Sequence, residues 1–175
     1  YLAYSDVAFI DSHGNTEGID MRDNTNTTYD RLYLSSDIGT NFIAGSTTKT
    51  NTPFKKKTKW IIIQACGQLD YTAGAPSSDN SALQWAKALL GDGVRMHGVL
   101  SYYNRGPEGD IAGSKMNRFM GTQTNSSNRP NMITGWKLAN EELGGSSAWA
   151  GICHRENLDD KLYWGWTTNT ANGSA

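Results

Sequence analysis

The run Trp60-Ile61-Ile62-Ile63-Gln64-Ala65 constrains the fold more than any other segment of the chain. Its β-branched and apolar residues are consecutive rather than alternating, so a strand built from it has no face suited to water. Such a strand belongs at the centre of a parallel sheet covered by helices on both sides, and Cys66-Gly67 marks its end. Residues 6–11 read as a second buried strand, in which the apolar run Val7-Ala8-Phe9-Ile10 stops at Asp11-Ser12 and is followed by His13-Gly14. Residues 15–59 are dominated by Thr, Asn, Asp, Ser and Lys, which predicts loops and short strands.

After Cys66 the apolar positions change period. Ala82, Leu83, Ala86, Leu89 and Leu90 fall at helical spacing over residues 81–90, with Asp79 or Ser81 as cap and Gly91 as stop. Residues 97–103 then read as a strand, reached through a short Gly-Asp-Gly return. Met132, Trp136, Ala139 and Leu143 step by four, three and four after Pro130, which predicts an amphipathic helix ending near Gly144-Gly145. Residues 148–153 read as a further strand, the aromatic segment 159–168 as a strand or packing arm, and residues 169–175 as a tail. Strands alternating with helices predict an α/β sandwich with a mainly parallel central sheet, one domain over residues 1–168.

Composition narrows the partners. With 16 Lys+Arg against 17 Asp+Glu the net charge is −1, so the basic excess that phosphate binding needs is missing and nucleic acid is not an expected partner. The longest apolar runs, four residues each at Val7 to Ile10 and Trp60 to Ile63, fall far below the roughly 20 residues of a membrane helix. Gly, Thr, Asn and Ser make up 66 of 175 residues, a polar and turn-rich surface that leans towards an extracellular or secreted setting. Asn26, Asn125 and Asn172 fit the glycosylation acceptor pattern, which matters only in a glycosylating secretory route. No leader-like series is present and the chain opens on Tyr1, so its start is read as processed or cut.

Chemistry is expected where the two buried strands end. If they are parallel neighbours, His13 and Cys66 come together although 53 residues separate them. A thiol attacks as its thiolate, and an adjacent imidazole that takes or stabilises the proton turns a cysteine into a nucleophile. Glycine after each residue lets the backbone approach a substrate, and the amides of Gly14 and Cys66 would face the oxyanion of a tetrahedral intermediate. Gln64 and Asp11, at the same two strand ends, are the candidate substrate-contacting residues.

Ile10-Asp11-Ser12-His13-Gly14 and Ile62-Ile63-Gln64-Ala65-Cys66-Gly67 resemble the His-Gly and Gln-Ala-Cys signatures of caspase-like cysteine peptidases, a fold shared by metacaspases, legumains, clostripains and gingipains. The resemblance covers mainly residues 6–103; from Arg95-Met96-His97-Gly98 to Trp136 the chain is more similar to an uncharacterised microbial caspase-like domain family. It implies a caspase-like three-layer sandwich, His13 as base, Cys66 as nucleophile, the Gly14 and Cys66 amides as oxyanion hole, a peptide or protein substrate, and no required metal or cofactor. In that fold two strands precede the His-Gly strand, whereas five residues precede Asp6 here, so the chain is expected to be the later part of a larger domain. The motif also departs at Cys66-Gly67-Gln68-Leu69, where caspases continue with Arg-Gly, and at Gln64, where metacaspases have Asp. The residue preference therefore does not carry over: Asp11 or Asp70 would suit a basic side chain, Arg95 or Arg105 an acidic one.

Other readings stay open on sequence alone. Cys66 and Cys153 are the only cysteines and form a disulfide in one alternative. Asp11, Ser12, His13 and His97 offer a zinc alternative, and Asp20, Asp23, Asn24, Asn26 and Asp30 an oxygen-rich segment for calcium. His97 and His154 otherwise read as structural histidines, and Lys55-Lys56-Lys57 with Lys59 as a solvated run, a gatekeeper or a cleavage-sensitive loop. Trp60, Trp85 and Trp136 point to the core, while Trp164 and Trp166 leave a sugar platform open. The second functional class is an inactive scaffold of the same fold, a secreted structural subunit or binding protein that self-associates or holds a ligand.

Overall fold

A computed structural model describes residues 6–21, 30–33, 58–73, 80–90, 96–124, 128–145 and 147–162. In chain order the elements are β1 (Val7–Asp11), β2 (Gly14–Asn15), β3 (Gly18–Met21), β4 (Asp30–Tyr33), β5 (Trp60–Gln64), α1 (Ser81–Leu90), β6 (Gly98–Tyr102), α2 (Asp110–Thr124), α3 (Met132–Glu142), β7 (Trp149–Cys153) and a 3₁₀ turn (Arg155–Asn157). The four-stranded sheet has the order β1-β5-β6-β7, with β1, β5 and β6 parallel and β7 antiparallel to β6. β2, β3 and β4 form a separate antiparallel sheet.

β5 is buried at all five positions, as its unbroken apolar run requires. Its side chains divide by the strand period of two. Ile61 and Ile63 join Ala8, Ile10, Val99 and Trp85 on the α1 face, while Trp60 and Ile62 join Leu100, Tyr102, Phe119 and Trp136 on the α2 and α3 face. The sheet is thus the middle layer of a mixed α/β fold, with helices on both faces and a core on each.

The period of the apolar residues and the helix caps fix most boundaries. α1 spans the residues expected of it, but its cap is Asn80, whose Oδ1 accepts from the Leu83 N–H at 3.3 Å. Ser81 is turned towards the Cys66 loop, and Asp79 and Gly91 lie outside the described residues. α3 opens on Asn131, whose Oδ1 accepts from the Thr134 N–H at 2.7 Å. It closes at Leu143, which is 43 % exposed rather than packed, because Gly144 and Gly145 turn the chain away at φ +63° and +97°. The fully buried Lys115 of α2 points its Nζ at the carbonyl of Asn140, 3.5 Å away in the last turn of α3, where a helix presents negative charge.

β1 corrects one expectation. Its burial alternates, Ala8 and Ile10 inside but Phe9 45 % exposed and Asp11 at the surface, so it is a half-buried strand rather than one covered on both faces. α2 is an element the apolar pattern does not announce. Its buried positions, Ala112, Lys115, Phe119 and Gln123, follow helical spacing, but two of the four are polar. The aromatic arm is described only to Leu162, which is buried, and the tail lies outside the described residues.

Candidate functional site

β1 and β5 are parallel and in register from Val7↔Trp60 to Asp11↔Gln64, so both strands end at the same level. The Ser12 N–H donates to the Gln64 carbonyl at 3.2 Å and extends the match by one residue. His13 and Cys66 each follow two residues beyond the last pair, and the sheet therefore delivers them to adjacent positions at its carboxyl edge. His13 is exposed, and Gly14 and Cys66 are partly exposed.

The Cys66 turn is held from three sides. The Gly67 N–H donates to the Asn104 carbonyl at 2.5 Å and the Leu69 N–H to the Tyr102 carbonyl at 3.0 Å, tying the turn to the chain leaving β6. From α1, the Ser81 hydroxyl donates to the Gly67 carbonyl at 2.5 Å and accepts from the Asp70 N–H at 2.9 Å. The Gly106 N–H donates to Cys66 Sγ at 3.4 Å, which holds the loop after β6 against the sulfur. A Cβ on Gly106 would stand 3.3 Å from the Ala65 backbone, so glycine permits that approach.

His13 begins a hairpin whose base is set by two further contacts. The Asp20 N–H donates to the His13 carbonyl at 2.9 Å, and the Ser12 hydroxyl donates to the Asp20 carbonyl. Gly14 and Gly67 turn out to serve the meeting of the two loops. A Cβ on Gly14 would lie 2.8 Å from Gln68 Nε2, 2.9 Å from the Gly18 carbonyl oxygen and 3.1 Å from Ala65 Cβ. Gly67, at φ +66°, would place one 3.1 Å from the Thr16 nitrogen. The two loops meet almost backbone to backbone.

Among the described residues, no hydrogen bond joins the His13 ring to the Cys66 thiol; Sγ has the Gly106 amide and the imidazole has no hydrogen-bond partner. The loop after β6 also carries an exposed ion pair, Arg105 Nη2 to Glu108 Oε1 at 2.5 Å. Its hydrogen bond and charge hold the Glu108 carboxyl below, and the Arg105 guanidinium above, their ordinary ranges; smaller electrostatic effects reach Glu108 from His13 and Arg105 from Cys66.

Several expectations are corrected. Gln64 does not line a cleft: it is 3 % exposed, and its Nε2 donates to the Ala112 carbonyl at 2.8 Å, anchoring the first turn of α2. Burial of the neighbouring Tyr102 pushes its phenol pKa up, against weaker opposing contacts from the Gln64 and Asn140 side chains. Asp11 is exposed at the site edge.

A Cys66–Cys153 disulfide is excluded by register. Cys153 pairs with Gly98, and Gly98 with Trp60 at the start of β5, whereas Cys66 lies beyond its end, roughly 20 Å along the strand direction. A disulfide needs Cα atoms within about 7 Å, and both thiols are free. The same register separates His97, before β6, from Asp11 and His13, which breaks up the zinc set.

No group of three or more His, Cys, Asp or Glu placed to hold a metal occurs among the described residues. Of the calcium candidates, Asp20 and Asp30 lie on β3 and β4, where Asp30 pairs with Met21; Asp23, Asn24 and Asn26 lie outside the described residues. So do Arg95, Asn125, Asn172, Lys55 to Lys57, Trp164 and Trp166. No described helix is long and apolar enough to cross a membrane.

Gly106 and Gln68 are site residues that the sequence does not single out, and Ser81, expected as a helix cap, instead holds the Cys66 turn. The Gly106-Pro107 pair after β6 marks a turn, but nothing in the residue types says that this turn folds back over Cys66. What the geometry defines is a mixed α/β protein with a largely parallel sheet and a His/Cys pair of strand ends at its carboxyl edge. No protein-family model matches the chain, and no curated protein matches it.

Proposed function

We propose that the chain is a caspase-like cysteine peptidase domain acting on peptide bonds of a protein substrate or of its own loops. The observation that carries this reading is the in-register parallel pairing of β1 with β5, which puts His13 and Cys66 at neighbouring strand ends. The Gly106 amide on Sγ adds support, since it holds the sulfur in place beside the loop that carries Arg105 and Glu108.

In this reading His13 takes the Cys66 proton and the thiolate attacks the scissile carbonyl carbon, forming a C–S bond while the carbonyl oxygen becomes an oxyanion. The Gly14 and Cys66 amides stabilise that oxygen. Collapse breaks the C–N bond, His13 gives its proton to the leaving amine, and water hydrolyses the thioester to release the acid and restore the thiol. The missing His13–Cys66 hydrogen bond favours a second reading, a non-catalytic secreted scaffold or binding protein, although catalytic contacts also lengthen in unliganded enzymes.

Alkylation by iodoacetamide, with the modified cysteine located by mass spectrometry, separates the two. The peptidase reading expects Cys66 to be labelled rapidly at neutral pH, faster than Cys153, and at least about ten-fold more slowly in His13→Ala. Labelling independent of His13 selects the scaffold.

A further inference from the structure

We propose that Gln68 is the positioning residue that sets His13 against Cys66, an inference that rests on the peptidase reading above. Gln68 is fully buried two residues after the nucleophile. Its Nε2 donates to the Asn15 carbonyl at 2.8 Å and the Gly18 carbonyl at 3.0 Å, both in the hairpin that follows His13, and to the Cys66 carbonyl at 3.2 Å. One amide group therefore bridges the base loop and the nucleophile loop.

The three acceptors fix the orientation of that amide. Turned over, it would aim its own carbonyl oxygen at three others; as placed, two N–H groups serve three oxygens. The arrangement leaves Oε1 buried without a hydrogen-bond partner among the described residues, a condition that destabilises a folded protein. An apolar side chain would avoid that cost but would lose the bridge, so the feature gained by having Gln here is the link between the loops.

Gly14 completes the fit. The Gln68 amide occupies the space a Gly14 side chain would need, one residue from His13, at 2.8 Å from where its Cβ would be. Gln68 touches neither reacting atom. It acts by holding the His13 hairpin at a fixed distance from the Cys66 turn, and a loose hairpin would leave the imidazole out of reach of the thiol.

The test compares wild type, His13→Ala, Gln68→Leu and Gln68→Glu by Cys66 alkylation rate and by hydrogen exchange over residues 14–18. Gln68→Leu is expected to slow alkylation at least about ten-fold and to speed exchange in the hairpin. Gln68→Glu adds a readout that mere loss of stability would not produce. Its ionised carboxylate would face three carbonyl oxygens, whereas its protonated form keeps one O–H donor, so its rate relative to wild type should recover on acidification across a carboxyl titration that wild type lacks.

If Gln68→Leu fails to fold, that acid-to-neutral ratio decides the matter alone, and a flat ratio overturns the proposal. Unchanged alkylation and exchange in Gln68→Leu, with His13→Ala still slow, overturns the proposal and leaves the peptidase reading standing. Alkylation indifferent to His13→Ala overturns the peptidase reading, and this proposal with it, whatever the hairpin exchange shows.

Discussion

The two cysteines, both partly buried, lie at opposite ends of the sheet. Cys66 is partly exposed and accepts a backbone N–H; burial, with a smaller contribution from the Asp160 charge, pushes the Cys153 thiol up to about 11. Cys153 should therefore stay protonated and slow to alkylate through neutral pH, gaining reactivity only as the pH nears 11. The same shift has a sign for stability. Because the thiol ionises near 9 when unfolded, the unfolded chain loses its proton first, so the stabilisation is complete below pH 9 and is lost as the pH climbs towards 11. Denaturant midpoints measured from pH 8 to 11 should fall in the native chain and fall less in Cys153→Ala.

At the scale of elements, one very close approach among the described residues lies where β6 begins beneath a tryptophan. A Cβ on Gly98 would come within 2.4 Å of the Trp60 ring and 2.7 Å of the Ile152 carbonyl oxygen; the Trp60 ring is fully buried in the core, and the carbonyl belongs to the paired backbone of β7. Gly98→Ala is expected to destabilise by about 1–3 kcal/mol or more, read from urea unfolding. The legibility of each element follows from what its buried face is made of. β5, α1, β6, α3 and β7 carry continuous or periodic apolar residues and can be read directly from the chain. α2 could not be read that way, because Lys115 and Gln123 fill half of its buried positions and serve α3 and Leu162 through hydrogen bonds. The strand ends bearing His13 and Cys66 were legible for the same reason that β5 was. The Gly106 and Gln68 contacts were not, since they depend on how three loops fold back on one another.

Across the whole molecule, Asp160 ties distant parts of the chain together at the end of the sheet away from the candidate site. Its carboxylate accepts from Trp60 Nε1 at 2.9 Å and contacts His97 Nδ1, while its carbonyl accepts from the Met132 N–H at 2.7 Å. Two residues on, the Leu162 N–H donates to Gln123 Oε1 at 3.0 Å. Sheet, α2 and α3 are thus joined by one short segment after β7. Asp160→Ala would leave buried polar groups of Trp60 and His97 without this partner, and should cost about 3 kcal/mol, a fall in Tm of roughly 10 °C by calorimetry. The rate of iodoacetamide labelling at Cys66, at the other end of the sheet, should match the native chain's at temperatures where that variant remains folded.

The placement of β1 beside β5 also bears on self-association. A segment reading Trp-Ile-Ile-Ile-Gln-Ala has the high β-propensity, absence of charge and absence of proline that favour intermolecular stacking. In the folded chain β6 covers one of its edges and the half-exposed β1 the other. Were β1 to detach, the unpaired edge of β5 would become a template for a second chain. The strand that carries His13 to the candidate site is therefore also the one that keeps this stacking-prone run out of reach of other copies of the chain.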